Sequence, residues 1–66
     1  MEEDRMLKWF AYEHLPEHLR AVSRSFCALA EKIVEEIQDG PERTVALRKL
    51  LESKDAAVRA RLYPGG

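Results

Sequence analysis

The sequence predicts an all-α protein: a short N-terminal helix followed by an antiparallel two-helix hairpin that completes its core by oligomerising. Three observations carry this. Two amphipathic segments of nearly equal length, 16–38 and 41–62, fill most of the chain. Only Asp39-Gly40 separates them, and a tight turn between matched helices makes a hairpin. The whole chain has 66 residues and one cysteine, so it has room for one domain (1–66), a small core and no internal disulfide. Association of copies is then the remaining common way to stabilise the fold.

The N-terminal segment, 1–15, opens with Glu2, Glu3 and Asp4, which favour a helix start through the macrodipole. A short helix near 3–12 follows from Met6, Leu7, Trp9, Phe10 and Ala11. Trp9, Phe10 and Tyr12 fall within four residues and cannot all face one way on a helix. They read either as a lid on the ends of the long helices or as a stacking platform for a base or a partner side chain. Leu15 precedes Pro16 and is pushed out of the helical region, so 13–16 is a connector.

Pro16 suits the first helical position and Glu17 its first turn, which starts the helix 16–38. Leu19, Val22, Phe26, Leu29, Ile33 and Ile37 recur at three- and four-residue steps, with Ala30 and Val34 widening the stripe. At 1.5 Å per residue this helix is about 34 Å long. Asp39-Gly40 ends it. The helix 41–62 has Gly40 at its cap, Pro41 at its first position and Pro64-Gly65-Gly66 beyond its end. Leu47, Leu51, Val58 and Leu62 mark one face. Arg43, Arg48, Lys49, Lys54, Arg59 and Arg61 read as a basic flank on the remaining surface. A lone hairpin leaves outer faces wet, and Phe26, Val34, Leu50 and the alanines at 56, 57 and 60 are the expected contacts with other copies.

The net charge of −1 conceals an asymmetry. Residues 1–40 hold five Lys/Arg and nine Asp/Glu, a balance of −4; residues 41–66 hold six and three, a balance of +3. Pairing of the acidic helix with the basic one accounts for much of this, and an anionic ligand is the functional reading. No apolar run approaches a membrane span, and the acidic start has no signal-peptide core. A soluble, cytoplasmic protein in a reducing compartment is expected.

No enzyme signature stands out: no nucleophile beside a base, no paired carboxylates in a recognisable frame, no glycine-rich phosphate loop. His14 and His18, with Glu17 between them, resemble half a zinc site, but Pro16 breaks the helix they would need and no further ligand cluster follows. Cys27 reads as a small packing residue. No metal and no cofactor is expected. A ligand site, if present, should form between subunits, because an elongated hairpin has no deep cleft of its own.

Three pieces, FAYEHLP at 10–16, RAVSRSFCALAEKI at 20–33 and PERTVALRKLLESKDAAVRA at 41–60, resemble the phage anti-CBASS sponges, small proteins that sequester cyclic-nucleotide signals of bacterial antiviral defence. Related hairpin domains occur in phage proteins that capture cyclic ADP-ribose signals of the Thoeris system. The resemblance implies a short N-terminal segment and a hairpin, assembled as dimers and then as a homohexamer. It implies binding of cyclic dinucleotides between paired subunits, without cleavage, in an infected bacterial cell. Some members also bind cyclic trinucleotides at separate sites.

Carried onto this chain, the family's base-packing tyrosine is Tyr12, in Phe10-Ala11-Tyr12, with Trp9 as a neighbouring aromatic. The phosphate-binding residue is Arg24, with Arg20 as second choice. A trinucleotide site would fall at Thr44, Arg48 and Arg59. The chemistry agrees with this pattern: arginine takes phosphate bidentately, an aromatic ring stacks on any base, and a two-fold seam doubles one tyrosine and one arginine to match a two-fold ligand. The alternative is a protein-interaction or nucleic-acid-binding hairpin whose basic flank follows a phosphate backbone. Against DNA binding, the net charge is not positive and Glu52 and Asp55 interrupt the cations.

Overall fold

The computed structural model describes residues 5–65, and they form three helical elements in chain order. A 3₁₀ helix spans Arg5–Phe10, α1 spans Glu17–Glu36 and α2 spans Pro41–Leu62. α1 and α2 form the antiparallel hairpin, and the 3₁₀ helix packs on both. The described chain extends 37 × 21 × 15 Å. The acidic start at residues 2–4, and that part of the expected 3–12 helix, lie outside the described residues.

The N-terminal element is a 3₁₀ helix of six residues, shorter and tighter than the α-helix expected near 3–12. Its end is closed by Ala11 N–H donating to the Lys8 carbonyl at 3.4 Å. Three residues per turn place Leu7 and Phe10 on one line. Phe10 is fully buried, and Met6 and Leu7 pack beside it against the hairpin. Burial of this short face, not helix propensity, holds the segment, since six residues alone are far below the length of a stable helix.

Leu15 N–H then donates to the Tyr12 carbonyl at 3.0 Å, making the turn into α1. Pro16 is the cap of α1 and not its first helical residue: its ψ of 152° is extended, and its carbonyl accepts from Leu19 and Arg20 N–H at 3.0 and 2.9 Å. The helix also stops two residues before the expected Gln38. Ile37 is extended, with φ −113° and ψ 127°, although its N–H still donates to the Ile33 carbonyl at 2.9 Å. Pro41 has no N–H to offer the Ile37 carbonyl, and Arg43 Nη1 instead donates to the carbonyls of Val34 and Ile37 at this end of α1.

α2 has the expected bounds, with Gly40 as cap and Pro41 in its first turn. Thr44 N–H donates to the Gly40 carbonyl at 3.1 Å. Tyr63 leaves the helix, its N–H donating to the Arg59 carbonyl at 2.8 Å before Pro64 ends any continuation.

Phe10, Ala30 and Leu47, one from each element, are fully buried and form the centre of the core. Ala30 supplies only a methyl, so the three elements approach closely there. Phe26, Val34 and Leu50, expected to face other copies, are instead partly buried against this core. The large apolar side chains left exposed are Trp9, Leu29, Ile37, Val45, Leu62 and Tyr63. Ala56 and Ala60 are exposed and Ala57 is half-buried. Among the described residues no helix is long and apolar enough to cross a membrane.

Candidate anion-binding site

Arg20 and Arg24 lie one turn apart on α1, turned away from the Leu19, Ser23 and Ala30 face that packs inward. Between them, with Glu17 and Ala21, is a shallow groove of about 380 Å³. Ala21 adds only a methyl to its lining, and Glu17 puts a carboxylate there beside the two arginines. Neither guanidinium makes a hydrogen bond or ion pair among the described residues. Both are exposed and both carry five donors in a planar fork that matches phosphate oxygens.

The aromatic candidates sit one element earlier. Trp9 is 55% exposed, and Lys8 Nζ lies 5.1 Å from its ring centroid, so a cation already occupies one approach to the ring. Tyr12 is half-buried in the turn between the 3₁₀ helix and α1, where its N–H donates to Glu13 Oε2 at 3.3 Å. The groove at Arg20 and Arg24 is lined by neither Tyr12 nor Trp9 among the described residues. One chain therefore presents the guanidinium pair and the rings as separate surfaces.

Thr44, Arg48 and Arg59 are not brought together either. Thr44 and Arg59 are fifteen residues apart on one helix, about 22 Å along its axis. Thr44 Oγ1 donates to the Gly40 carbonyl at 3.3 Å and serves the start of its own helix. Arg48 is exposed. Arg59 borders a different depression, about 220 Å³, with Leu15, Ser23, Lys54, Asp55 and Val58. Ser23 is fully buried there, and its Oγ has no hydrogen-bond partner among the described residues.

The basic flank expected on α2 is corrected in part. Arg43 and Lys54 are largely buried, their side chains 10% and 12% exposed. Arg43 donates to the end of α1 and pairs with Asp39 at 3.2 Å. Lys54 Nζ donates to the Trp9 carbonyl at 2.7 Å. Arg61 Nε reaches the His18 carbonyl at 3.4 Å. Three of the six cations thus bind backbone oxygens of this same chain. Lys49 pairs with Glu52 at 3.9 Å, which leaves Arg48 and Arg59 facing outward without an ion pair among the described residues.

His14 and His18 are both exposed on either side of Pro16, and no group of three or more His, Cys, Asp or Glu clusters among the described residues. Cys27 is half-buried beside the 3₁₀ helix. Burial holds its thiol pKa above the ordinary 9.0, and Glu31 and Glu13 push the same way, against a smaller opposing effect of Lys54. A thiol kept protonated is a poor nucleophile.

Sequence reasoning missed Lys54 as an internal residue. The signal was present: position 54 falls in the inward stripe, seven after Leu47 and four before Val58, where an apolar side chain is the default. Comparison with protein families, with curated proteins and with solved structures finds no match to this chain.

Proposed function

We propose that this chain is a non-enzymatic sponge of the anti-CBASS type. It binds cyclic dinucleotides, holds them intact and so blocks CBASS immunity in the cytoplasm of an infected bacterium. The working form is a homohexamer built of dimers. The observation that carries this reading is the unpaired guanidinium pair of Arg20 and Arg24 around a shallow groove. Two guanidinium groups one turn apart can both reach one phosphate, and Glu17, which lines the same groove, makes no ion pair with either among the described residues.

A cyclic dinucleotide carries two phosphates and two bases. One chain's open groove meets only part of it, and a two-fold seam supplies the second copy. Trp9 and Tyr12 of one copy beside Arg24 of the next would bring together the rings and charges that a single chain keeps apart. Exposed large apolar side chains among the described residues, Leu29, Ile37 and Val45 with them, are available to such a seam.

The nucleic-acid alternative loses support from α2. Its basis was the basic flank of that helix, and Arg43 and Lys54 are largely buried there and bind carbonyls of this same chain instead. The test is thermal melting of the full chain with a panel of cyclic di- and trinucleotides and with duplex DNA. A sponge melts higher with a cyclic nucleotide by mass action, and Arg24→Ala loses that shift while melting normally without ligand. A shift with DNA alone supports the alternative.

A further inference from the structure

The N-terminal 3₁₀ helix carries Trp9 and leads directly into Tyr12, yet it is too short to hold itself in place. Besides the packing of Phe10, Met6 and Leu7 against the hairpin, a polar contact ties its backbone to α2. Lys54 Nζ, 45 residues on, donates to the Trp9 carbonyl at 2.7 Å. The lysine arrives from the inward stripe of α2, beside Ser23 and Val58, and its side chain is only 12% exposed.

An ammonium in that position is disfavoured unless oxygens replace its water. The Trp9 carbonyl does this at short range, and Asp55 Oδ1 stands 4.0 Å away. A methionine or leucine at 54 would fill the stripe without that desolvation. What the lysine adds over an apolar residue is directional: it fixes one carbonyl of the aromatic arm at one point on α2. That carbonyl belongs to Trp9 itself and lies three residues before Tyr12.

We infer that Lys54 is the positioning residue of the aromatic arm, setting where Trp9 and Tyr12 stand for a stacked base without touching the ligand. The ligand half of this inference rests on the sequestration reading above; the tie between Lys54 and the arm does not.

The experiment compares the full chain with Lys54→Met and Lys54→Arg. Lys54→Met keeps the stem and removes the donor; Lys54→Arg keeps a donor. Amide hydrogen exchange over residues 5–12 reads the arm, and emission of Trp9, the one tryptophan in the chain, reads its ring. In Lys54→Met, exchange should speed up in residues 5–12 alone, with α1 and α2 as protected as before, and Trp9 emission should change. Cyclic-dinucleotide affinity should fall roughly tenfold, the weight of one charge-assisted hydrogen bond. Lys54→Arg should restore both.

Unchanged exchange and emission in Lys54→Met overturn the inference. So does a loosened arm with undiminished ligand affinity. If the parent chain binds no cyclic nucleotide, the sequestration reading fails separately, and the exchange comparison still decides the tie. If Lys54→Met does not fold, Lys54→Gln is measured in its place with the same outcomes.

Discussion

Arg43 Nη1 lies 2.9 Å from the carbonyl oxygen of Ile37, the residue at which α1 ends. The same nitrogen is 3.1 Å from the Val34 carbonyl, and Nη2 is 3.2 Å from Asp39 Oδ1. A side chain in the first turn of α2 thus closes the last turn of α1, and the two helices share one terminus. Arg43→Met should cost about 1.5–3 kcal/mol, the range for hydrogen bonds to a charged group. Asp39 is 78% exposed, so Asp39→Ala should cost under about 1 kcal/mol. Thermal melts of the two variants check the contrast, and equal losses would refute the capping role.

The core is small, so single truncations should be severe. Leu47 and Phe10 are fully buried at its centre. Leu47→Ala should cost about 2–5 kcal/mol and Phe10→Ala about 3–5 kcal/mol. Denaturant titration measures both. A Phe10→Ala variant of near-parental stability would mean that the 3₁₀ helix is not part of the core.

Much of this fold was legible in the sequence, for reasons that particular residues make plain. Gly40-Pro41 and Leu62 to Pro64 mark the ends of α2, because proline and glycine act locally through backbone geometry. The α1 stripe from Leu19 to Ile33 was legible because helical periodicity repeats over many turns. The cap on the C-terminal end of α1 was not, because Arg43 reaches the Val34 and Ile37 carbonyls from across the turn. Phe26, Val34 and Leu50 were placed on the outside because periodicity gives a face and not the neighbour that covers it. The charge of Arg43 and Lys54 points outward, yet their long stems carry them inward to carbonyls of the same chain, while Arg61 is exposed as expected. Arg20 and Arg24 are singled out by the resemblance alone, and their separation from Tyr12 and Trp9 within one chain was not legible.

Cys27 should react slowly. With its pKa raised above 9.0, it is less ionised at pH 8 than the same thiol in the unfolded chain. Alkylation by iodoacetamide should therefore be slower in the native protein than in denaturant. The sign for stability follows from the same shift: the folded state holds the proton more tightly, so stability is full below the unfolded pKa and falls as pH rises through the folded one. Cys27→Ala should lose that alkaline slope in melts spanning pH 7 to about 10. Faster alkylation in the native state would contradict the assigned environment.

Gly40 caps α2 with no side chain to contribute a cap hydrogen bond, and a Cβ there would meet nothing within 4 Å. Its φ of 171° is extended backbone that any residue adopts. Gly40→Ser should raise stability by up to about 1 kcal/mol, through a hydroxyl acceptor for the first-turn N–H groups and a less flexible unfolded chain. A lower melting temperature would show that the turn needs glycine.

Calorimetric titration of the full chain with a cyclic dinucleotide, followed by release and mass measurement of the ligand, tests the central claim most directly. Saturable binding at one ligand per two chains is expected, with the ligand recovered at unchanged mass and a large loss of affinity in Arg24→Ala whose melting temperature is preserved. No heat of binding across the panel of cyclic nucleotides, or recovery of a cleaved product, would contradict it.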